Sequence, residues 1–197
     1  MRIVFFDFET TGLNPDLDKI IEVGAVKSEN GKILSSFSVV INQRIPLPPK
    51  ISKITGLTDE EILRNGREER EVMNEFFEFI GNDPLVGHNA IYFDVPFIEK
   101  YLGMPIKNRV SDTLIISKFL LPGLRFHSLR RVASNFGIPW NENHRALEDA
   151  ILAMNLWEKL KERAKTIDGD FIKNYIEKLY KNDFKILDAF YLFLEDL

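Results

Sequence analysis

The chain has no cysteine among its 197 residues. Disulfides and thiolate metal sites are therefore excluded, and any divalent ion must be held by oxygen or imidazole ligands. A chain without disulfides fits a reducing compartment, so we expect a cytoplasmic location. Asp7 and Glu9 interrupt the apolar N-terminal stretch before it could form a signal peptide, and no other apolar run is long enough to span a bilayer. We expect no membrane association.

Excess positive charge is also absent, because the formal net charge is -4. This argues against a protein that coats long nucleic acid through a broad basic face, but it leaves open an enzyme that holds a short strand end through bound metal. With 45% hydrophobic residues the chain can bury one sizeable core. We expect one domain over residues 1–165 and a helical C-terminal extension over residues 166–197.

Five segments have the character of β-strands. The first, Arg2–Phe8, is almost continuously apolar, as in a central strand that is buried on both faces. Asn30-Gly31 predicts a tight hairpin turn between the second and third strands. The third strand should place Ile33, Phe37, Val39 and Ile41 on one face. The predicted strands after the first are Ile20–Lys27, Ile33–Ile41, Leu85–Gly87 and Arg109–Ser111.

Helical patterns dominate the rest of the chain. Thr58 and Glu61 form a potential capping box ahead of an apolar helical stripe at residues 72–80. Further helices are expected at Ala90–Leu102, where Pro96 must kink or restart the helix, and at residues 112–120, 128–136, 144–165 and twice after Asp168. Strands that meander and then alternate with helices predict an α/β fold, a mixed sheet with helices on its faces.

Three polar clusters carry the candidate chemistry. Asp7 and Glu9 lie two residues apart at the end of the buried strand, so both carboxylates point to the same side of the sheet. Asp94 follows a strand end and a turn that begins at His88, where the simplest interpretation is a helix cap. His144 and Asp149 are too far around a continuous helix to meet, so they converge only if His144 precedes the helix. Asn141 and Asn143 offer caps for such an entry.

The ordered motifs resemble a known family. Asp7-x-Glu9-Thr10-Thr11-Gly12, then His88-Asn89 with Asp94, then His144 with Asp149, are similar to the DEDD exonucleases of the histidine subtype, across roughly residues 1–162. Within that family the pattern is most similar to the proofreading epsilon subunit of bacterial DNA polymerase III. The resemblance implies a ribonuclease H-like fold with a five-stranded mixed sheet.

The resemblance also implies the roles of individual residues. Asp7, Glu9, Asp94 and Asp149 would bind two divalent ions, Mg²⁺ or Mn²⁺, for which hard oxygen ligands are suited. His144 would be the general base, since an imidazole titrates near neutral pH. Thr10 and Leu13 match family positions that hold the terminal nucleotide, and Thr55 lies in a loop similar to the family's substrate loop, where a histidine is usual. The expected activity is 3′–5′ hydrolysis that releases nucleoside 5′-monophosphates from single-stranded or mismatched DNA ends, of a proofreading or repair type.

Several alternatives stay open at this point. The substrate could be short RNA, trimmed by a 3′–5′ exoribonuclease, although DNA is favoured. A haloacid-dehalogenase-like phosphatase would need an aspartate in place of Glu9, and a non-hydrolytic polymerase-accessory module would not need the acids and His144. Arg125, His127, Arg130 and Arg131 could form a basic margin, but a solvated helix face is the simpler interpretation. The apolar stripe in residues 184–197 either packs back on the domain or binds a DNA polymerase subunit or a second copy.

Overall fold

The computed structural model describes all of residues 1–197 and has a mixed sheet at its centre. The five strands are β1 (Arg2–Thr10), β2 (Ile20–Glu29), β3 (Lys32–Val40), β4 (Leu85–Gly87) and β5 (Val110–Asp112), in the order β3-β2-β1-β4-β5. β1 pairs antiparallel with β2 and parallel with β4. The predicted five-stranded mixed sheet is therefore confirmed, with the first strand at its centre.

Strand β1 is buried on both faces. Its odd-numbered residues Ile3 and Phe5 belong to the larger core cluster, on the side of the sheet where the C-terminal half of the chain packs. Its even-numbered residues Val4, Phe6 and Phe8 belong to a second cluster on the opposite side. Because side chains alternate along a strand, each face of β1 receives its own layer of helices.

The hairpin between β2 and β3 forms as predicted. Asn30 and Gly31 both have positive φ, at 51° and 73°, as a tight turn of this kind requires. The prediction that Ile33 lies on the same face as Phe37 and Val39 is wrong, because Ile33 pairs with Ser28 while Ser35 pairs with Lys27, which leaves one extra residue between them. The register shifts between Lys27 and Ser28, which is a β-bulge, and residues before the bulge therefore turn to the other face.

Nine helices cover the sheet. They are α1 (Pro49–Thr55), α2 (Asp59–Asn65), α3 (Glu69–Ile80), α4 (Asp94–Leu102), α5 (Thr113–Leu120), α6 (Leu129–Asn135), α7 (Ala146–Ala164), α8 (Gly169–Tyr180) and α9 (Phe184–Glu195). Helix α4 begins at Asp94 rather than at Ala90. Pro96 therefore lies in its first turn, where the missing N–H has no helical acceptor to bond. None of these helices has the length and apolar character needed to cross a membrane.

Helix α9 is built into the larger core cluster. Its buried residues include Phe190 and Phe193, and the Phe193 ring packs edge to face on Trp157 of α7 at 4.9 Å between centroids. Ser111 of β5 donates a hydrogen bond to the carbonyl of Ala189 at 2.7 Å. The apolar stripe at the C-terminus thus packs on the edge of the sheet and on α7.

The packing of α9 predicts a loss of stability on substitution. Phe193→Ala should lower the free energy of unfolding by about 3–5 kcal/mol, because it removes a fully buried ring and leaves a cavity. Urea denaturation of the full chain measures this change. Phe184→Ala is the matched control, since Phe184 lies on the same helix and is 79% exposed. Equal stability of the two variants would contradict the placement of α9 in the core.

Candidate active site

Strand β1 delivers the first two acids. Asp7 and Glu9 continue the odd-numbered series of Ile3 and Phe5, so they point to the face of the sheet on which α7 packs. Both are partly exposed, unlike the apolar residues that precede them. Asp7 and Glu9 thus lie where β1 leaves the core, next to the start of α7.

Asp94 approaches the end of β1 from the start of helix α4, which follows strand β4. It is the first residue of α4 and is 1% exposed, and its Oδ1 accepts a hydrogen bond from the backbone N–H of Phe8 at 3.0 Å. The preceding turn is fixed by Asp112, whose carboxylate accepts from the N–H groups of Asn89 and Ile91 at 2.8 and 3.1 Å. The helix-cap interpretation of Asp94 is wrong, because the residue before the helix is Phe93 and the Asp94 carboxylate binds the central strand instead.

His144 lies just before α7, so it can meet Asp149. The helix begins at Ala146, and His144 Nδ1 is 3.1 Å from Asp149 Oδ2. The expected asparagine caps are wrong, because neither Asn141 nor Asn143 caps the helix with its side chain. The buried carboxylate of Glu22 on β2 takes that place and accepts from the N–H of Ala146 at 3.2 Å. A negatively charged side chain at a helix N-terminus is also favoured by the helix dipole.

Two further contacts hold the entry of α7 against the sheet. Arg145 forms an ion pair with Glu22 at 2.8 Å, and the N–H of His144 donates to the carbonyl of Ile54 at 3.1 Å. Gly24, which pairs with Asp7 across the sheet, lies directly under the helix. A Cβ at Gly24 would lie 2.1 Å from the backbone of Ala146 and Leu147. Only glycine lets the start of α7 come this close to Asp7.

Arg130 on α6 reaches into the same cluster. Its Nη1 and Nη2 bind Asp149 Oδ2 and Oδ1 at 3.2 and 3.0 Å, and its Nη1 is 2.8 Å from His144 Nδ1. The side chain is only 14% exposed. The interpretation of Arg130 as part of a solvated helix face is therefore wrong, because two residues of the candidate site bind it.

The grouped carboxylates alter each other's acidity. Burial, followed by the negative charges of Asp94 and Glu9, raises the pKa of Asp7 well above its usual value. Burial and the charge of Asp149 raise the pKa of Glu9 to about 8, and burial raises that of Asp94 to about 8. Each carboxylate is harder to ionise than in water because it is desolvated and lies near like charge. A cation would relieve both effects.

The donor set fits a hard divalent ion. Glu9, His144 and Asp149 each offer a ligand atom, and these atoms all lie within 4.8 Å of one another. A pocket of about 460 Å³ opens over Asp7, His144 and Asp149 and gives access from solvent. Carboxylate oxygens with an imidazole suit Mg²⁺ or Mn²⁺.

His88 also lines this pocket, and its ring is fixed by two hydrogen bonds. Its Nε2 lies 2.8 Å from the His127 carbonyl and its Nδ1 lies 2.9 Å from the Thr113 hydroxyl. Since a carbonyl only accepts, Nε2 carries the proton and Nδ1 is left as an acceptor. The one proton of the Thr113 hydroxyl is shared between Nδ1 and the Gly87 carbonyl, which lies 3.2 Å from that hydroxyl. Burial lowers the pKa of His88 to about 4, so the ring is neutral. Its contacts give it a structural role in the turn.

The three predicted substrate residues differ in their exposure. Leu13 is 82% exposed in the loop after β1. Thr10 is buried, and its hydroxyl donates to the carbonyl of Gly12. Thr55 is 1% exposed, and its hydroxyl donates to the Ile51 carbonyl and accepts from the N–H of Leu57. This structure therefore presents Leu13 to solvent, while the Thr10 hydroxyl bonds within the turn after β1 and the Thr55 hydroxyl bonds at the end of helix α1.

The sequence analysis missed the residues that position the acids. Glu22 lies among apolar residues in the first half of β2, and a charged residue in such a run is a signal that it is paired inside the fold. Gly24 in the same strand carries the signal of a close backbone approach. Asp112 and Arg130 carry no such signal, although their contacts with Asn89 and Asp149 span 23 and 19 residues of the chain.

Comparison with known proteins places this geometry in a family. A family model described as an exonuclease, RNase_T, matches residues 4–157. The subunit epsilon of DNA polymerase III from Aquifex aeolicus is 36% identical over 163 residues, which cover 81% of this chain and 80% of that protein. The DNA polymerase III PolC-type of Clostridium perfringens is 39% identical over 184 residues, which cover 87% of this chain and 12% of that protein.

Solved structures with a similar fold are exonucleases. Exonuclease X in complex with 5′ overhanging duplex DNA has a TM-score of 0.65 at 22% identity, with 83% of this chain and 92% of that chain covered. Escherichia coli Exonuclease I in complex with a dT13 oligonucleotide has a TM-score of 0.73 at 18% identity, with 93% and 45% covered. These neighbours confirm the predicted ribonuclease H-like fold.

The fold and the carboxylate site thus define an exonuclease domain. The chain belongs to the RNase_T exonuclease family, and the resemblance predicted from its motifs is confirmed. The chain spans about 12% of the length of the PolC-type relatives that it matches. The family match also removes the support for the phosphatase alternative.

The raised pKa values predict how stability depends on pH. The pKa values of Glu9 and Asp94 are about 8 in the fold, against 4.5 and 3.8 for the free side chains. Their contribution to stability is fully present below the lower values and is lost as the pH rises through about 8. In EDTA, the melting temperature should therefore fall between about pH 6 and about pH 8.5, and saturating Mg²⁺ should abolish the fall.

Asp94→Asn is the matched control for this experiment, since a carboxamide oxygen can still accept from the N–H of Phe8. It should show a smaller fall with pH in EDTA and a smaller response to Mg²⁺. The carboxylate cluster is contradicted if the wild-type melting temperature in EDTA is the same at both pH values and Mg²⁺ raises it equally at each.

Proposed function

We propose that this chain is a metal-dependent 3′–5′ exonuclease that releases nucleoside 5′-monophosphates from single-stranded or mismatched DNA ends. The observation that carries the proposal is the convergence of ligand atoms of Glu9, His144 and Asp149 within 4.8 Å of one another. Asp7, His144 and Asp149 line the pocket at this point. The names of the relatives support DNA rather than RNA as the substrate, since they are components of DNA polymerase III or exonucleases solved with DNA.

Four carboxylates would hold two divalent ions, Mg²⁺ or Mn²⁺. They are Asp7, Glu9, Asp94 and Asp149. Two such metal ions, when bound, would neutralise charge on the scissile phosphate, activate the attacking water and stabilise the leaving oxygen. Asp7 interacts with the other three acids, since after burial the charges of Asp94, Glu9 and Asp149 each raise its pKa. The raised pKa values of Glu9 and Asp94 mean that the set ionises fully only with a cation.

His144 would act as the general base. Its Nδ1 is engaged by Asp149 and Arg130, and the side chain is 42% exposed. Asp149 Oδ2 can accept a hydrogen bond from Nδ1–H, which leaves the lone pair of Nε2 free to take the proton of the attacking water. The attack breaks the bond between phosphorus and the 3′ oxygen, which leaves on the shortened strand as a 3′-hydroxyl.

Leu13 would contact the base of the terminal nucleotide, because it is an exposed apolar side chain in the loop directly after the acids. Thr10 and Thr55 would support the two loops around the strand end through the hydrogen bonds described above. We also propose a cytoplasmic location and association with a DNA polymerase, as the names of the relatives suggest. A role of residues 166–197 in that association, or in self-association, would have to use the face of α8 and α9 that points away from the core.

One assay tests the proposed activity. The substrates are 5′-labelled single-stranded DNA, a duplex with a 3′ mismatch and a short RNA of the same sequence, each with Mg²⁺ or with EDTA. We expect a ladder of stepwise shortened DNA with Mg²⁺ only, nucleoside 5′-monophosphates as product, and slower cleavage of RNA. Asp7→Asn should remove the activity. Cleavage inside a circular strand would contradict an exonuclease, and faster RNA cleavage would favour the exoribonuclease alternative.

His144→Ala tests the proposed base. Removal of a positioned base should lower kcat by about 10²- to 10⁴-fold while metal binding is largely kept. Single-turnover rates measure the first quantity and a Mn²⁺ titration measures the second. His127→Ala is a comparison within the same chain, since both ring nitrogens of His127 bond to α5 and the adjacent loop outside the acid cluster. A His144→Ala variant with a nearly normal rate would show that the ring takes no proton in the rate-limiting step.

A further inference from the structure

Arg130 has a complete set of partners at the candidate site. A guanidinium has five N–H donors; the structure offers oxygen acceptors for four of them and places the His144 ring nitrogen beside the fifth. Nε donates to the carbonyl of Asn141 at 3.1 Å, and Nη2 donates to the carbonyl of Asn143 at 3.0 Å and to Asp149 Oδ1 at 3.0 Å. Nη1 is 3.2 Å from Asp149 Oδ2 and 2.8 Å from His144 Nδ1. One side chain therefore connects the loop before His144 with the acid on α7.

These contacts hold the loop at residues 141–143 against helix α7, and few other side-chain bonds connect the two. The loop at residues 141–143 is exposed, and it makes a single side-chain bond to α7, from Asn141 Nδ2 to Glu148. Arg130 itself is anchored by the Trp140 ring, 5.6 Å from the guanidinium carbon. A planar guanidinium matches a carboxylate through two parallel bonds, which fixes the orientation of Asp149 as well as its distance.

The contact with His144 depends on which ring nitrogen carries the proton. When His144 acts as the base, its Nδ1–H donates to Asp149 Oδ2, and the contact between Nδ1 and Arg130 Nη1 is then not a hydrogen bond. Arg130 keeps its four other bonds in this state. Asp149 Oδ1 accepts one bond from Arg130 and has a second lone pair, so Arg130 and a metal ion can bind the same carboxylate together.

We propose that Arg130 is a positioning residue of the exonuclease site, which holds Asp149 and the His144 loop in the arrangement that hydrolysis requires. This inference rests on the proposed function, because it assigns Arg130 an effect through His144. It predicts that Arg130 contributes to turnover without contact with the substrate. Partners of this kind outside the metal ligands commonly affect activity by about 10- to 100-fold.

The test compares Arg130→Gln, Arg130→Lys and a control, Arg131→Gln, in the full chain at saturating Mg²⁺. Arg131 lies on the same helix, carries the same charge and is exposed. We expect both Arg130 variants to lose about 10- to 100-fold in kcat, with a much smaller change in the KM for a single-stranded oligonucleotide. Lysine should not restore activity, because it keeps the charge but lacks the planar fork. Arg131→Gln should behave as wild type.

A double substitution separates positioning from a general effect on the fold. In the His144→Ala background, Arg130→Gln should cost clearly less than in the wild type, because part of its effect is already lost. Losses that simply multiply would overturn the inference, and so would wild-type kcat in both Arg130 variants. Higher activity of Arg130→Gln at low Mg²⁺ would also overturn it, since Arg130 would then be a competitor of the metal. If His144→Ala has a low kcat and Arg130→Gln has the wild-type kcat, the role of Arg130 is contradicted and the proposed function is not.

Discussion

The candidate site requires the fold to hold several carboxylates close together at the end of a buried strand. Like charges in a desolvated position repel, and the pKa values of Glu9 and Asp94 near 8 show how strongly the fold opposes their ionisation. Repulsion between the carboxylates favours conformations in which the acids lie farther apart. They remain together because Asp7 and Glu9 are fixed by β1, which is buried on both faces in the centre of the sheet.

Long-range contacts bring the other acids to that strand. Asp94 is tied to the N–H of Phe8, and Asp149 is brought near by the close approach of α7 over Gly24. Glu22 serves this approach twice, since it caps α7 and pairs with Arg145. Under the proposed metal-binding role, removing any of these contacts should let the acids move apart and lower their affinity for cations. The fold thus maintains an arrangement that repulsion between like charges opposes.

Much of the fold was predictable from the sequence because its signals are local. The apolar run of β1, the Asn30-Gly31 turn and the helical stripe of α7 each lie within a short window. The order of the acidic motifs predicted the family, which the comparisons confirm. The β-bulge that exposes Ile33 was not predictable, because it depends on how β2 and β3 pair rather than on either strand alone.

The contacts that organise the site were not predictable for a similar reason. Glu22 and Arg145 are 123 residues apart in the chain, and the place of Arg130 depends on how α6 packs beside α7. The sequence identifies which groups can carry the chemistry, but the tertiary structure decides which groups hold them. Asp149 illustrates this difference, since its motif indicated its role and only the structure reveals its guanidinium partner.

The central claim is that four carboxylates share two divalent ions. Calorimetric titration of the full chain with Mn²⁺, in the presence of a nucleoside 5′-monophosphate, counts the ions directly. The account predicts two Mn²⁺ per chain for the wild type and weakened binding of both in Asp7→Asn, because the proposal makes Asp7 a ligand that both ions share. A single Mn²⁺ per chain whose affinity is the same in Asp7→Asn would contradict it.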